Sequence, residues 1–89
     1  HRQMSKWGEA VMEDFITCMA KYLVEAPEHV KVAVQQENEL TRYTLTVARN
    51  DVGRVVGKEG RTAKAMRTLL TAVAARQGFR VRLDIENVE

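Results

Sequence analysis

The stretch Asp51-Val52-Gly53-Arg54-Val55-Val56-Gly57-Lys58-Glu59-Gly60-Arg61-Thr62-Ala63-Lys64-Ala65 decides how this chain reads. Asn50 or Asp51 suits the cap of a short helix through Val52, Arg54, Val55 and Val56, because a short polar side chain satisfies the first helical amides. Gly57 interrupts that helix and a longer one starts at about Arg61, so a four-residue turn with glycine at both ends joins the two. Such a joint brings four backbone N–H groups and a helix N-terminus to one exposed point. Without Cβ atoms at Gly57 and Gly60, an anion's oxygen approaches that backbone closely, and the helix dipole favours its charge. Arg54, Lys58, Arg61 and Lys64 surround the spot, and Val55 or Val56 offers an apolar floor on which bases rest. The pattern indicates a phosphate backbone held at the turn, with the bases left free to be read.

Working outward, the second helix runs from Arg61 to about Gln77. Ala63, Met66, Leu69, Leu70, Val73 and Ala74 fall on one face, and Gly78 is placed for a left-handed cap. Arg61, Lys64 and Thr68 line up on the side opposite Met66 and Val73. Downstream, Val81, Leu83 and Ile85 alternate with Arg80, Arg82, Asp84 and Glu86, the period of a strand. Upstream, two more alternating runs, Val30-Val32-Val34 and Thr41-Tyr43-Leu45-Val47, flank a polar turn at Gln36-Glu37-Asn38-Glu39 and predict a hairpin. Before these, Val11, Met12, Phe15, Ile16, Met19, Ala20 and Leu23 recur at helical spacing, predicting a helix from about Gly8 to Glu25. Pro27 stops it by steering Ala26 out of the helical region. The expected order is α-β-β-α-α-β, an α+β fold with a three-stranded sheet packed on helices. Residues 12–89 form the domain, and residues 1–11, including His1, Arg2 and Gln3, read as an N-terminal extension.

Eighty-nine residues hold one core. A composition 45% hydrophobic and 29% charged is too apolar for a disordered chain. A solitary Cys18 and two scattered histidines offer neither an internal disulfide nor zinc-ligand spacing, so no metal or cofactor is expected. No apolar run approaches the roughly 20 residues needed to span a bilayer, so no membrane partner is expected and the chain reads as cytoplasmic. Net charge is only +2, yet it is segregated. Residues 49–82 carry nine basic and two acidic side chains, against a local −2 over residues 1–48 and −3 from Leu83 to Glu89. A basic block between acidic flanks is the footprint of a polyanion binder, although a solvated helix face gives the same count.

The spacing V-V-G-x-x-G, with a basic helix following the second glycine, resembles the signature of KH domains, which grip about four nucleotides of single-stranded nucleic acid with a GxxG loop. The α-β-β-α-α-β order corresponds to the type II, prokaryotic arrangement. Met12 to Glu86 is similar to the small stand-alone KhpA/YlqC-type KH proteins, notably at Glu25-Ala26-Pro27-Glu28-His29-Val30, Ala48-Arg49-Asn50-Asp51-Val52-Gly53 and Gly57 to Ala65. The resemblance implies a bacterial, cytoplasmic, single-stranded RNA-binding protein, an RNA chaperone and post-transcriptional regulator with roles in cell shape. It also implies a homodimer, or a heterodimer with a larger KH-containing partner of the Jag/KhpB type. The RNA-contacting set is then Gly53, Arg54, Val56, Gly57, Lys58, Glu59, Gly60, Arg61 and Lys64. Ala63, where many KH signatures carry Ile, makes the apolar groove shallower, and Glu59 partly cancels Lys58, so the isolated domain is expected to bind weakly.

Other readings stand beside this one. The paired glycines can be a plain helix cap and tight connection, and Lys64, Arg67 and Arg76 a solvated face. Trp7 reads as a terminal or interface residue rather than a base-stacking one. Asp84 and Glu86 share a strand face without any nucleophile or base beside them, so catalysis is not expected, and they read as charges protecting an edge. Gly53 to Lys58 falls one residue short of a P-loop and has Glu59 where Ser or Thr would hold magnesium, which excludes ATP binding. The alternative functions are a ribosome-assembly factor, a KH module of a larger RNA-handling protein, or a protein-interaction module with a vestigial clamp.

Overall fold

The computed structural model describes residues 4–88. The extension residues His1, Arg2 and Gln3, and the acidic tail residue Glu89, lie outside the described residues. The elements run α1 (Lys6–Leu23), β1 (Lys31–Glu37), β2 (Leu40–Val47), α2 (Val52–Val56), α3 (Arg61–Arg76) and β3 (Arg80–Asn87), with 3-10 turns at Pro27–His29, Arg49–Asp51 and Lys58–Gly60. The result is the expected α-β-β-α-α-β order, an α+β fold consistent with a KH domain.

Helix α1 starts and ends two residues earlier than its apolar spacing suggests. Ser5 Oγ accepts the Gly8 N–H at 3.0 Å and caps it, and Val24 has already left the helical region at φ −91, ψ 163. The helix thus crosses the boundary drawn between residues 11 and 12, and Met4 ahead of it is buried. The hairpin is tighter than expected. Gln36 and Glu37 remain in β1, paired with Thr41 and Leu40, and only Asn38 and Glu39 turn, Asn38 taking φ 57. Asparagine tolerates that left-handed geometry better than most residues.

The sheet order is β1-β2-β3, with β1 antiparallel and β3 parallel to the central strand. A parallel neighbour needs a crossover, and α2 with α3 supplies it. Burial follows strand position. Along β2 Thr41, Tyr43, Leu45 and Val47 are all buried, whereas the inward residues of β1, Val32 and Val34, are half-buried at an edge. These side chains meet Met12, Ile16 and Ala20 of α1, Val55 of α2, and Met66, Leu70 and Ala74 of α3. A chain of side chains joins α1 to the hairpin: Gln36 Nε2 donates to Glu9, and Thr41 Oγ1 donates to Gln36 Oε1 at 2.9 Å.

Helix α3 closes as its sequence suggests. Gly78 takes φ 83, its N–H reaches Ala75 O, and the Phe79 N–H reaches Ala74 O, the paired bonds of a Schellman cap. Two of its expected core residues lie elsewhere: Leu69 and Val73 are 55% and 48% exposed. The apolar stripe of α3 is wider than the sheet covers, and its surplus flank lies beside Val11 of α1.

Candidate nucleic-acid interface

The turn between α2 and α3 is held by its own backbone. Gly57 has φ 81, ψ 170, a region essentially reserved for glycine, and a Cβ there would sit 2.2 Å from Thr62 Oγ1 and 2.8 Å from the Thr62 nitrogen. Gly60 has φ 75, ψ 12 with open space where a side chain would go. The first glycine is therefore required by contact and conformation, the second by conformation alone. Glu59 between them is also left-handed, at φ 56, ψ 25, a cost that the surrounding turn imposes.

The amide inventory differs from the four free donors inferred from spacing. The Gly57 N–H donates to Gly53 O, Gly60 to Gly57 O and Arg61 to Lys58 O, so these are spent on building the turn. Among the described residues the amides of Lys58 and Glu59, the turn's two exposed residues, have no backbone acceptor. Helix α3 begins directly behind them with no side-chain cap, which leaves its positive dipole end facing the same side.

Around this point Lys58, Arg61 and Lys64 are exposed. Glu59 pairs with Arg61 at 2.9 Å rather than cancelling Lys58, because the left-handed backbone turns it toward the next helix. Both partners are largely exposed, so the pair is weakly held and opens easily. Gly53 is exposed on α2. Of the two valines considered for an apolar floor, Val55 is fully buried in the core, and Val56 is the half-buried one beside the turn.

Arg54 is engaged within the fold. Its guanidinium pairs with Glu25 at 3.0 Å and with Asp51 at 3.2 Å, and donates to Asn50 O at 3.1 Å. Asp51 occupies the cap position of α2 without capping it. Instead its buried carboxylate accepts the amides of Glu25 and Ala26, each at 3.0 Å. Those two amide bonds, with Arg54 adding to them, hold the Asp51 carboxyl below the ordinary carboxylate range despite burial. Spacing within the segment pointed to a cap; the actual partners lie more than twenty positions away, where no local pattern reveals them.

Two further features escaped the sequence. Arg67, read as solvated face, donates its Nε to Leu83 O at 3.0 Å. Asp84, read as an edge charge, accepts from Arg82 Nε at 3.0 Å and Arg42 Nη1 at 2.9 Å, and these two cations draw its pKa down. Arg42 also forks onto both oxygens of Glu37, lacing the three strands across the solvent face of the sheet. Among the described residues no cluster of three or more potential metal ligands occurs, and no helix is long and apolar enough to cross a membrane.

Comparison with known proteins agrees with this architecture. The model of the KhpA/KhpB KH domain matches residues 13–85. RNA-binding protein KhpA of Chlamydia caviae is 47% identical over 74 residues, spanning 83% of this chain and 95% of the relative. The proteins of the same name from Listeria monocytogenes and Halalkalibacterium halodurans are 42% and 40% identical, again over 83% of this chain and 97% of theirs. With the matched region running from the body of α1 into β3 and containing the glycine-bounded turn, the chain belongs to the KhpA/KhpB KH-domain family.

Proposed function

We propose that this chain is a non-catalytic single-stranded RNA-binding protein that grips the RNA backbone at the turn Gly57-Lys58-Glu59-Gly60. The observation that carries the reading is the turn itself. It is exposed, locked by a glycine that tolerates no Cβ, and backed by an uncapped helix N-terminus with Lys58, Arg61 and Lys64 around it. A phosphate would receive the Lys58 and Glu59 amides and the lysine charge, and Arg61 on leaving Glu59. Val56 supplies the apolar contact for a neighbouring base, and Gly53 lets the strand pass close to α2. Arg54 contributes mainly by fixing α2 through Asp51 and Glu25. The names of the KhpA relatives support RNA as the polyanion.

The finer reading is an RNA chaperone and post-transcriptional regulator in the cytoplasm, paired with a second copy or with a larger KH-containing protein of the Jag/KhpB type. Residues 12–89 are the RNA-binding unit in this proposal, with residues 4–11 completing its first helix. One clamp with few free charges binds weakly, and pairing raises the effective affinity. Trp7, Val11, Leu69 and Val73, exposed along α1 and α3, support an interface there.

Lys58→Asp tests the clamp without disturbing either glycine. Filter binding of single-stranded RNA should weaken about tenfold or more, and the dependence on salt should flatten by about one released counterion. Equal affinity in a protein that remains folded would refute the reading. Sedimentation of the same samples measures pairing, and a strict monomer at every concentration excludes the self-paired form.

A further inference from the structure

The two edges of the sheet are finished differently. Beside β3 a groove separates the strand from α3, and Arg67 bridges it by donating Nε to Leu83 O at 3.0 Å. Strand β3 also carries Arg80, Arg82, Asp84 and Glu86 along its length. Strand β1 is the opposite edge, bonded only to β2, and has none of these guards. Its seven residues, Lys31-Val32-Ala33-Val34-Gln35-Gln36-Glu37, include no proline and pair with β2 without a bulge. Charges stand only at its two ends. A strand edge of this length is ordinarily blunted by a central charge, a proline or a bulge.

Glu37 and Leu40 close a two-residue turn and spend their backbone groups on each other, so bonding to β2 falls on every second residue of β1 counted back from Glu37. Val32, Val34 and Gln36 therefore direct their N–H and C=O groups to the open side. Their side chains are half-buried, whereas Lys31, Ala33, Gln35 and Glu37 are exposed on the other face.

We propose that this edge is an interface for a second copy of the chain, whose β1 pairs antiparallel with it about a two-fold axis at Val34. The surface is separate from the apolar flank of α1 and α3. In this register every residue from Lys31 to Glu37 has a partner, and the outward donors of one strand meet the outward acceptors of the other. Val34 faces Val34 of the second copy, Val32 faces Gln36 and Ala33 faces Gln35. Lys31 faces Glu37 at both ends of the ladder, on the solvent side, so the only charges of the strand meet with opposite sign. A shift by two residues, the smallest that keeps donors opposite acceptors, loses both ion pairs. Among the described residues Lys31 has no ion-pair partner within its own chain. Arg42 forks onto Glu37, and a carboxylate with about four acceptor sites accommodates a second cation. The product is a six-stranded sheet with β3 at both outer edges. Helices α2 and α3 pack beside β3, so the glycine-bounded turn stays clear of the new interface.

The test is run in a Leu69→Asp background, where pairing through the α1–α3 flank is disrupted. Leu69, Lys31 and Glu37 are all exposed, so these substitutions spare the core. Sedimentation over a rising concentration series should still show a reversible dimer, and amide exchange at Val32 and Val34 should slow as it forms. Adding Lys31→Glu places like charges opposite each other twice and should weaken the dimer about tenfold; adding Glu37→Lys should do the same. Mixing those two variants sets opposite charges together again and should restore the affinity of the parent. A monomer at every concentration in the Leu69→Asp background overturns the inference, and is the result given if the edge serves an extended segment of another protein. A dimer indifferent to both charge changes overturns it as well, as does a mixture no tighter than either variant alone. RNA binding is measured in none of these arms, so the inference and the clamp stand or fall separately.

Discussion

Gly57 and Gly60 are the same letter in the sequence and different objects in the fold. A methyl group at Gly57 meets Thr62 at both its hydroxyl and its backbone nitrogen, in a conformation that L-residues scarcely adopt. At Gly60 the only cost is the left-handed backbone. Gly57→Ala should therefore destabilise the domain by about 3 kcal/mol and Gly60→Ala by about 1 kcal/mol. Urea unfolding checks the order, and equal losses would contradict it. Trimming Thr62 to Ala should recover only part of the Gly57→Ala loss, because the nitrogen and the backbone angle remain. Tyr43 offers a second test at this scale. Its phenol is buried and donates to Glu9 O at 3.0 Å, and burial, with Glu9 and Glu13 nearby, pushes its pKa up to about 12. The folded state holds this proton more tightly than the unfolded chain, whose value is 10.0. Its contribution to stability is thus complete below pH 10 and erodes as pH climbs toward 12. Ultraviolet titration in a Tyr22→Phe background should show the Tyr43 phenolate appearing only near that upper value. Tyr43→Phe should cost about 1 kcal/mol at neutral pH and remove this part of the alkaline loss.

Among elements, α2 is too short to be stable alone, and Asp51 ties it to the segment leaving α1. Asp51→Asn keeps the shape but can offer only one good acceptor to two amides. It should lower the Tm by several degrees and blunt RNA binding through a loosened α2, without altering the charge of the turn. Because the native carboxyl titrates below its ordinary 3.8, its stabilisation is full above that value and fades as pH falls through the lowered one. The acid limb of a thermal-stability profile should be shallower in Asp51→Asn; an unchanged limb would show that the pairing contributes nothing. What the sequence revealed at this scale follows from periodicity. Alternation in β2 and the three- and four-residue spacing of α1 and α3 are local, and the elements formed where that spacing lies. The cap of α1 at Ser5, the amides held by Asp51 and the carbonyl held by Arg67 depend on partners or termini that spacing does not encode. The turn was legible because glycine placement is itself local, whereas its amide inventory depends on backbone bonds that glycine placement does not specify.

Across the whole molecule, helices cover one face of the sheet and leave the other to polar side chains, with Arg42 bound to Glu37 and Asp84 at its centre. The basic block of the sequence is spread over several elements, with four of its nine basic residues on α3 and the others on the 3-10 turn before α2, on α2, on the glycine-bounded turn and on β3. The overhang of α3's apolar stripe at Leu69 and Val73 was read as core because periodicity reports a face and not how much of it the sheet is broad enough to cover.

The central strand obtains its two neighbours on very different terms. Leu40 meets Glu37 across a two-residue turn, but it meets Arg80 only after the chain has travelled through both crossover helices. Closing the short loop is cheap and closing the long one is not, so the hairpin is expected to assemble early and β3 to dock late. Leu83 has no carbonyl to offer Arg67 until that docking is complete. The groove between α3 and β3 is then the last part of the molecule to form, and a nascent chain would possess its turn before it possessed that groove.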